Sequence, residues 1–100
     1  MVWIGDSIAA DAAPAVVAAF EAAGLDVLDG AYAARRLVES DGVDPEKIIP
    51  PLLTGHPDVV VYQLSLWDSP FSLDELRPAF RWFHDQVRWS GADVVFLEHP

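Results

Sequence analysis

Residues 59–64 read Val-Val-Val-Tyr-Gln-Leu, and this run is the strongest strand signal in the chain. Its β-branched residues favour extended backbone, and an unbroken apolar run is typical of a parallel strand with both faces covered. Outward from this run, the apolar segments at residues 2–4, 25–28 and 94–97 predict three shorter strands.

Two helices are predicted between these strands. Residues 12–23 carry apolar side chains at helical spacing, and Pro14 falls in the first turn, where its missing N–H removes no helical hydrogen bond. A weaker helical stretch begins after Asp44, which is a good capping residue. We expect Pro50 and Pro51 to end or kink this second helix.

The last helix, at residues 72–89, has the clearest pattern. Ser72 and Glu75 form a capping-box pair at its start. Its predicted core stripe consists of Leu73, Leu76, Phe80, Phe83 and Val87. Trp82 and Trp89 lie well off this stripe, so we expect both to point away from the core. They would lie flat on the surface, or be covered by a partner or by a further part of the domain.

The alternation of strands and helices predicts an α/β fold, a three-layer, flavodoxin-like sheet of about four parallel strands with flanking helices. One hundred residues allow one small domain. A composition of 52% hydrophobic and 22% charged residues is that of a globular protein. We therefore treat residues 1–100 as a single domain.

The charge balance and the residue types present exclude several functions. Six Lys and Arg against 16 Asp and Glu give a net charge of −10, which repels a phosphate backbone, so nucleic acid is not an expected partner. The chain has no cysteine, which excludes a thiolate nucleophile and cysteine-ligated zinc. No apolar run approaches the roughly 20 residues that span a bilayer, so we expect no membrane span.

Gly5, Asp6 and Ser7 directly follow the first predicted strand. In open parallel sheets, ligands bind in the loops beyond the carboxyl ends of the strands. A glycine there permits a tight turn, and backbone N–H groups at a helix start stabilise negative charge. Ser7 is therefore a candidate nucleophile, although a serine before a helix also serves as a cap.

Residues 2–9, Val-Trp-Ile-Gly-Asp-Ser-Ile-Ala, resemble the first block of the SGNH (or GDSL) hydrolase superfamily, in which Gly-Asp-Ser follows the first strand. The resemblance implies that Ser7 is the acyl nucleophile of a serine esterase or O-acyltransferase, and that Asp6 lines its site. It also implies a small-molecule or carbohydrate ester as substrate, with no cofactor and no metal.

The second block of that family is a loop after the second strand, with a glycine N–H that helps to bind the oxyanion. The corresponding loop, residues 29–34, contains Gly30, whereas the family glycine more often lies nearer to Ala34. The resemblance thus implies oxyanion donors at Ser7, Gly30 and Ala34. A plain turn role is the alternative for Gly30.

The third block, Gly-x-Asn-Asp in the family, corresponds to Ser65, Leu66, Trp67 and Asp68, which keep only the aspartate. Losing the asparagine amide removes one oxyanion donor. The change resembles SGNH domains of bacterial sugar and cell-envelope O-acyltransferases, and it implies that Trp67 and Asp68 line the site. Alternatively, Asp68 holds its loop by accepting backbone N–H bonds.

The family's Asp-x-x-His block has no match, because none of His56, His84 and His99 follows an aspartate by three residues. We therefore expect the front part of an SGNH domain, without its final strand, its catalytic Asp and His and its closing helix. Such a chain should be inactive alone, since an unassisted serine hydroxyl is a weak nucleophile. A short relative that has lost hydrolysis is the alternative.

A non-catalytic binding module is the rival interpretation. In a receiver-like domain, Asp6 and Asp68 would hold Mg²⁺ at the sheet edge. Such domains also carry a second acidic residue beside the first and a lysine after a fifth strand, and this sequence has neither. A purely structural or interaction role is a third possibility.

Overall fold

The computed structural model describes residues 1–32, 35–40 and 42–98. Four strands and three helices lie in these ranges. In chain order they are β1 (Val2–Ile4), α1 (Ser7–Ala22), β2 (Leu28–Asp29), α2 (Pro45–Leu52), β3 (Val59–Gln63), α3 (Leu73–Trp89) and β4 (Asp93–Leu97). All strands pair in parallel, in the order β2-β1-β3-β4, which confirms the predicted fold class.

The parallel register brings the carboxyl ends of the strands to one edge of the sheet. Ile4 of β1 pairs with Tyr62 of β3, which in turn pairs with Phe96 of β4. The turn after β1 and the loops after β2 and β3 therefore start from this edge, which we call the carboxyl edge.

Alternate residues of each strand supply two cores, one on each face of the sheet. Trp3 and Val61 pack with Ala9 and Ala13 of α1, and the Trp3 indole N–H donates to the Ala9 carbonyl at 2.9 Å. The opposite face packs against α2 and α3. Its buried members are Val2, Ile4, Leu37, Ile49, Leu53, Val60, Tyr62, Phe83, Val87 and Ala92. Helices on both faces make the structure three-layered.

The first helix is longer than predicted, and the second strand is shifted. The helix begins at Ser7 rather than at residue 12, because the Asp6 carboxylate caps it, so Pro14 lies in the helix interior and not in its first turn. The second strand begins at Leu28 rather than at residue 25. Leu25 lies beyond α1, but its N–H still donates to the Phe20 carbonyl in the last turn of that helix.

The second helix starts where predicted, with the Asp44 carboxylate accepting the Glu46 N–H at 3.0 Å. It runs through Pro50 and Pro51 and ends at Leu52. Both prolines lie in the last turn of this helix. Their missing N–H groups therefore limit its length but do not prevent it from forming. No helix in the described part of the chain is long and apolar enough to cross a membrane.

The third helix confirms its predicted cap but corrects one tryptophan and also Leu73, which was predicted in the core stripe and is 67% exposed. The Ser72 hydroxyl accepts the Glu75 N–H at 3.3 Å, as a capping box requires. Trp89 is 77% exposed, as predicted. Trp82 is instead half-buried, because it packs against the core on the α2–α3 face of the sheet.

Candidate nucleophile site at the carboxyl edge

Ser7 lies at the carboxyl edge as the first residue of α1, and its side chain is exposed. The Asp6 carboxylate accepts the Ile8 N–H at 3.0 Å, so the capping role that a serine could take here belongs to Asp6. Neither the Ser7 hydroxyl nor its N–H makes a hydrogen bond with the described residues. Both groups are therefore available to a ligand at the positive end of a 16-residue helix.

The turn that presents Ser7 requires a glycine at position 5. A Cβ on Gly5 would lie 2.3 Å from the Ala9 Cβ and 3.3 Å from the Gln63 Cβ. Ala9 is fully buried, so it has little room to move away. The close approach of α1 to the end of β1 thus depends on this glycine.

Asp6 is predicted to line the site, and it lies next to Ser7 with only 2% of its surface exposed. Its second carboxylate oxygen accepts the Ser65 hydroxyl at 3.3 Å and the Leu66 N–H at 3.2 Å. The Ser65 hydroxyl in turn accepts the Trp67 N–H at 3.0 Å. Asp6 therefore fixes the β1–α1 turn against the loop after β3. The part of Ser65 in this link was not predicted from the sequence.

Asp68 is also buried, and its carboxylate joins two loops. It accepts the Leu37 N–H at 2.9 Å, the Val38 N–H at 3.1 Å and the Tyr62 hydroxyl at 2.9 Å. Burial raises the pKa of Asp68, although these hydrogen bonds and the nearby Arg36 oppose the shift. Burial also raises the pKa of Tyr62, and the Asp68 charge adds to that effect. Asp68 thus holds backbone N–H groups, as the alternative interpretation proposed, but those of the loop after β2.

Two aromatic side chains border Ser7's edge of the sheet, each with an arginine over its ring. Trp67 is 46% exposed, and the buried Arg36 guanidinium lies 4.6 Å from its ring centroid. Tyr32 is 67% exposed, and Arg35 lies 5.6 Å from its ring centroid. Partial burial lowers the pKa of Arg35. Both pairs are within the distance of a cation–π contact.

The contacts of Gly30 within the fold explain why a glycine occupies this position. Its N–H donates to the Trp3 carbonyl at 2.7 Å, which continues the pairing of β1 with β2. A Cβ at this position would meet a Leu52 methyl group at 2.9 Å. The Gly30 amide is therefore already engaged in the sheet. Ala34, the other amide predicted in this loop, lies outside the described residues.

The described histidines lie away from Ser7. His56 precedes β3 at the opposite edge of the sheet, where its Nδ1 is 3.4 Å from the Ser90 carbonyl. His84 is exposed on α3, on the face of the sheet that α1 does not cover. His99 lies outside the described residues. The part of the chain that the structure describes thus provides Ser7 with no imidazole base.

Metal binding was the rival interpretation for Asp6 and Asp68. Both carboxylates are occupied by separate sets of hydrogen bonds to neighbouring loops. Across residues 1–32, 35–40 and 42–98, no group of three or more His, Cys, Asp and Glu side chains is arranged to hold an ion. The two aspartates are best described as loop anchors.

No family model, curated protein or solved structure matches the chain. The features that bear on function are the carboxyl edge itself and the Gly-Asp-Ser motif that leads into it.

Proposed function

We propose that the carboxyl edge is the nucleophile half of a serine ester hydrolase or O-acyltransferase of the SGNH type. The observation that carries the proposal is the exposed Ser7, with its hydroxyl and N–H both unengaged by described residues, at the N-terminus of α1. The Gly-Asp-Ser motif before the helix supports the same role. The substrate class is an O-acyl ester of a small molecule or carbohydrate.

The reaction needs three groups at the ester carbonyl. The Ser7 Oγ attacks the carbonyl carbon while a base takes its proton, and the Ser7 N–H stabilises the oxyanion. Collapse of this intermediate expels the alcohol, which takes up a proton, and leaves an acyl group on Ser7. Attack by water then gives a carboxylic acid, and attack by a second hydroxyl gives a new ester.

The other residues of this edge position the nucleophile. Asp6 acts through the β1–α1 turn, because its carboxylate ties Ile8 of the helix to Leu66 of the neighbouring loop. Gly5 lets the helix begin directly at the sheet edge. The base is not supplied by the described histidines, so we expect the 100-residue chain to hydrolyse p-nitrophenyl acetate no faster than its Ser7→Ala variant.

The proposal is tested by supplying the base from solution. The protein is incubated with p-nitrophenyl acetate and excess imidazole, and the peptide containing Ser7 is analysed by mass spectrometry. We expect acetylation of Ser7 that depends on imidazole, because free imidazole can take the serine proton. A fluorophosphonate probe should label the same peptide when imidazole is present.

The matched control is Ser69→Ala. Ser69 is another exposed serine of this edge, but its hydroxyl donates to the Leu66 carbonyl at 2.6 Å. Labelling should persist in Ser69→Ala and vanish in Ser7→Ala. Equal acetylation of Ser7 and of serines elsewhere, such as Ser90, would mean that Ser7 has only ordinary reactivity, and the proposal would fail.

A further inference from the structure

Large apolar side chains are exposed around the turn that carries Ser7. Ile8, the next residue of α1, is 39% exposed, and Leu66, in the loop after β3, is 57% exposed. Trp67 follows Leu66 and is also exposed. A single exposed apolar side chain is ordinary, whereas a group of them beside a reactive residue is typical of a ligand-binding surface. We call Ile8, Leu66 and Trp67 the apolar rim.

The Asp6 carboxylate positions the apolar rim next to Ser7. Its two oxygens accept the N–H groups of Ile8 at 3.0 Å and of Leu66 at 3.2 Å, so both rim residues are attached to the same side chain. The Leu66 carbonyl also accepts the Ser69 hydroxyl at 2.6 Å. The backbone of the rim is therefore fixed before a ligand arrives, which reduces the entropic cost of binding.

The polar groups around the rim are already engaged within the protein. Apart from Ser7, every carboxyl and hydroxyl group of the β1–α1 turn and of the loop after β3 makes a hydrogen bond with described residues. These groups belong to Asp6, Ser65, Asp68, Ser69 and Ser72. A sugar ring loses free energy when its hydroxyls are left without partners, whereas a hydrocarbon chain needs only apolar surface. The rim therefore suits the hydrocarbon part of an ester.

The space next to Ser7 has to stay open in an active enzyme. An ester carbonyl must approach the Ser7 Oγ to within about 3–3.5 Å before the acyl group is transferred. The alcohol then leaves, and the acyl group stays bonded to Ser7, beside Ile8 and Leu66. A further part of the domain could not fill this space without blocking the reaction. This leaves the acyl group as the ligand of the rim.

We propose that the apolar rim selects esters whose acyl group is an apolar chain longer than acetyl, such as butanoyl or hexanoyl. The chain lies against Ile8, Leu66 and Trp67 while its carbonyl carbon reacts with Ser7. This inference rests on the role proposed for Ser7 and specifies the acyl part of its substrate. Each methylene group buried in the transition state should accelerate acylation by about fourfold.

The test extends the imidazole-dependent labelling to a series of esters. The 100-residue chain is incubated with p-nitrophenyl acetate, butanoate or hexanoate and excess imidazole, and the initial rate of Ser7 acylation is measured by mass spectrometry. In each reaction the Ser7 Oγ bonds to the acyl carbon, p-nitrophenolate leaves, and imidazole takes the serine proton. Each rate is divided by that of N-acetylserinamide, a serine without a binding surface, which removes the intrinsic reactivity of the ester. We expect the normalised rate to rise at least about tenfold from acetate to hexanoate, because about half of the added chain is buried.

Leu66→Asn and Leu25→Asn are matched variants of this experiment. Both replace an exposed leucine, 57% and 48% exposed, by a polar side chain of similar size. Leu25 lies beyond the end of α1 that is opposite to Ser7. We expect Leu66→Asn to lower the ratio of the hexanoate rate to the acetate rate at least about threefold, and Leu25→Asn to leave it unchanged.

The ratio is a safeguard against an effect on folding, because it compares two esters on the same protein. A smaller folded fraction lowers both rates and leaves their ratio unchanged. Ile8→Gln is a second rim variant should Leu66→Asn fail to fold, and it should lower the ratio in the same way.

Three results would overturn the inference, and they can be told apart. Equal normalised rates for the three esters, with Ser7 still acylated, would mean that the rim does not bind the acyl chain, and the role of Ser7 would stand. The same ratio in Leu66→Asn and Leu25→Asn would place the chain away from the rim. No acylation of Ser7 by any of the esters would overturn the role proposed for Ser7 together with the acyl preference.

Discussion

Asp68 and Ser7 lie at the same edge of the sheet but differ in burial and in hydrogen bonding. Asp68 is 4% exposed, and its oxygens accept hydrogen bonds from two loops and from Tyr62. Ser7 is exposed, with no hydrogen bond from its hydroxyl to a described residue. A polar group that is buried and fully bonded contributes to folding, whereas an exposed, unengaged one contributes little.

This difference in burial and hydrogen bonding separates residues that the SGNH resemblance assigns to one site. Asp6, Ser7 and Asp68 were all candidates for the site, yet Asp6 and Asp68 both anchor loops. Of these three residues, only Ser7 has a side chain that makes no hydrogen bond with the described part of the chain. Substitutions at these positions should therefore separate effects on stability from effects on reactivity.

The largest expected effect is that of Asp68→Ala. It would leave two backbone N–H groups and the Tyr62 hydroxyl buried without an acceptor, which should lower the free energy of unfolding by about 3–5 kcal/mol. Asp68→Asn keeps an oxygen for the Leu37 and Val38 N–H groups and offers an N–H to Tyr62, so it should cost only about 1 kcal/mol. Urea unfolding followed by circular dichroism measures both. Equal losses would mean that the hydrogen bonds do not account for the stability.

Gly5→Ala tests the turn that joins the two regions. The added Cβ would overlap the Ala9 Cβ, so we expect a loss of about 2–3 kcal/mol and a displaced helix start. Gly55→Ala is the control, because a Cβ at Gly55 meets nothing within 4 Å. If both substitutions lowered the urea midpoint equally, the close approach of α1 to β1 would not account for the loss of stability.

The pH dependence of stability gives a smaller effect with a definite sign. Because burial raises the pKa of Asp68, the folded state holds its proton more tightly than the unfolded state. The stability of the wild type should therefore fall, relative to Asp68→Asn, as the pH rises from the ordinary carboxyl value of 3.8 to the raised folded pKa. Urea unfolding of both proteins across this range measures the difference. A wild type that gained stability relative to Asp68→Asn as the pH rose would indicate a lowered pKa instead.

The sequence predicted the elements with strong local patterns. The β-branched run of β3 and the capped, amphipathic α3 lie within one residue of their predicted bounds. The start of α1 was missed because Asp6 and Ser7 are both good caps and the following alanines have little apolar periodicity. In such a stretch, only the tertiary structure decides which residue caps the helix.

The roles of the buried groups could not be predicted, since they depend on contacts distant in sequence. Asp68 bonds to Leu37, 31 residues earlier, and Asp6 bonds to Leu66, 60 residues later. Trp82 is half-buried by packing against a core cluster to which Leu37, 45 residues earlier, belongs, and no local pattern indicates that contact. The position of Ser7 at the sheet edge, in contrast, followed from a strand, a glycine and a helix in succession.

The smallest expected effect completes the comparison, since Ser7→Ala should leave the free energy of unfolding within about 0.5 kcal/mol of the wild type. The hydroxyl has no described partner to lose, and alanine has a high helix propensity. The same variant should abolish imidazole-dependent acetylation in the labelling experiment. Thermal and urea unfolding measure the first property, and mass spectrometry measures the second. A loss above about 1 kcal/mol would mean that Ser7 is part of the folding framework like Asp68, and the division between the two regions would fail.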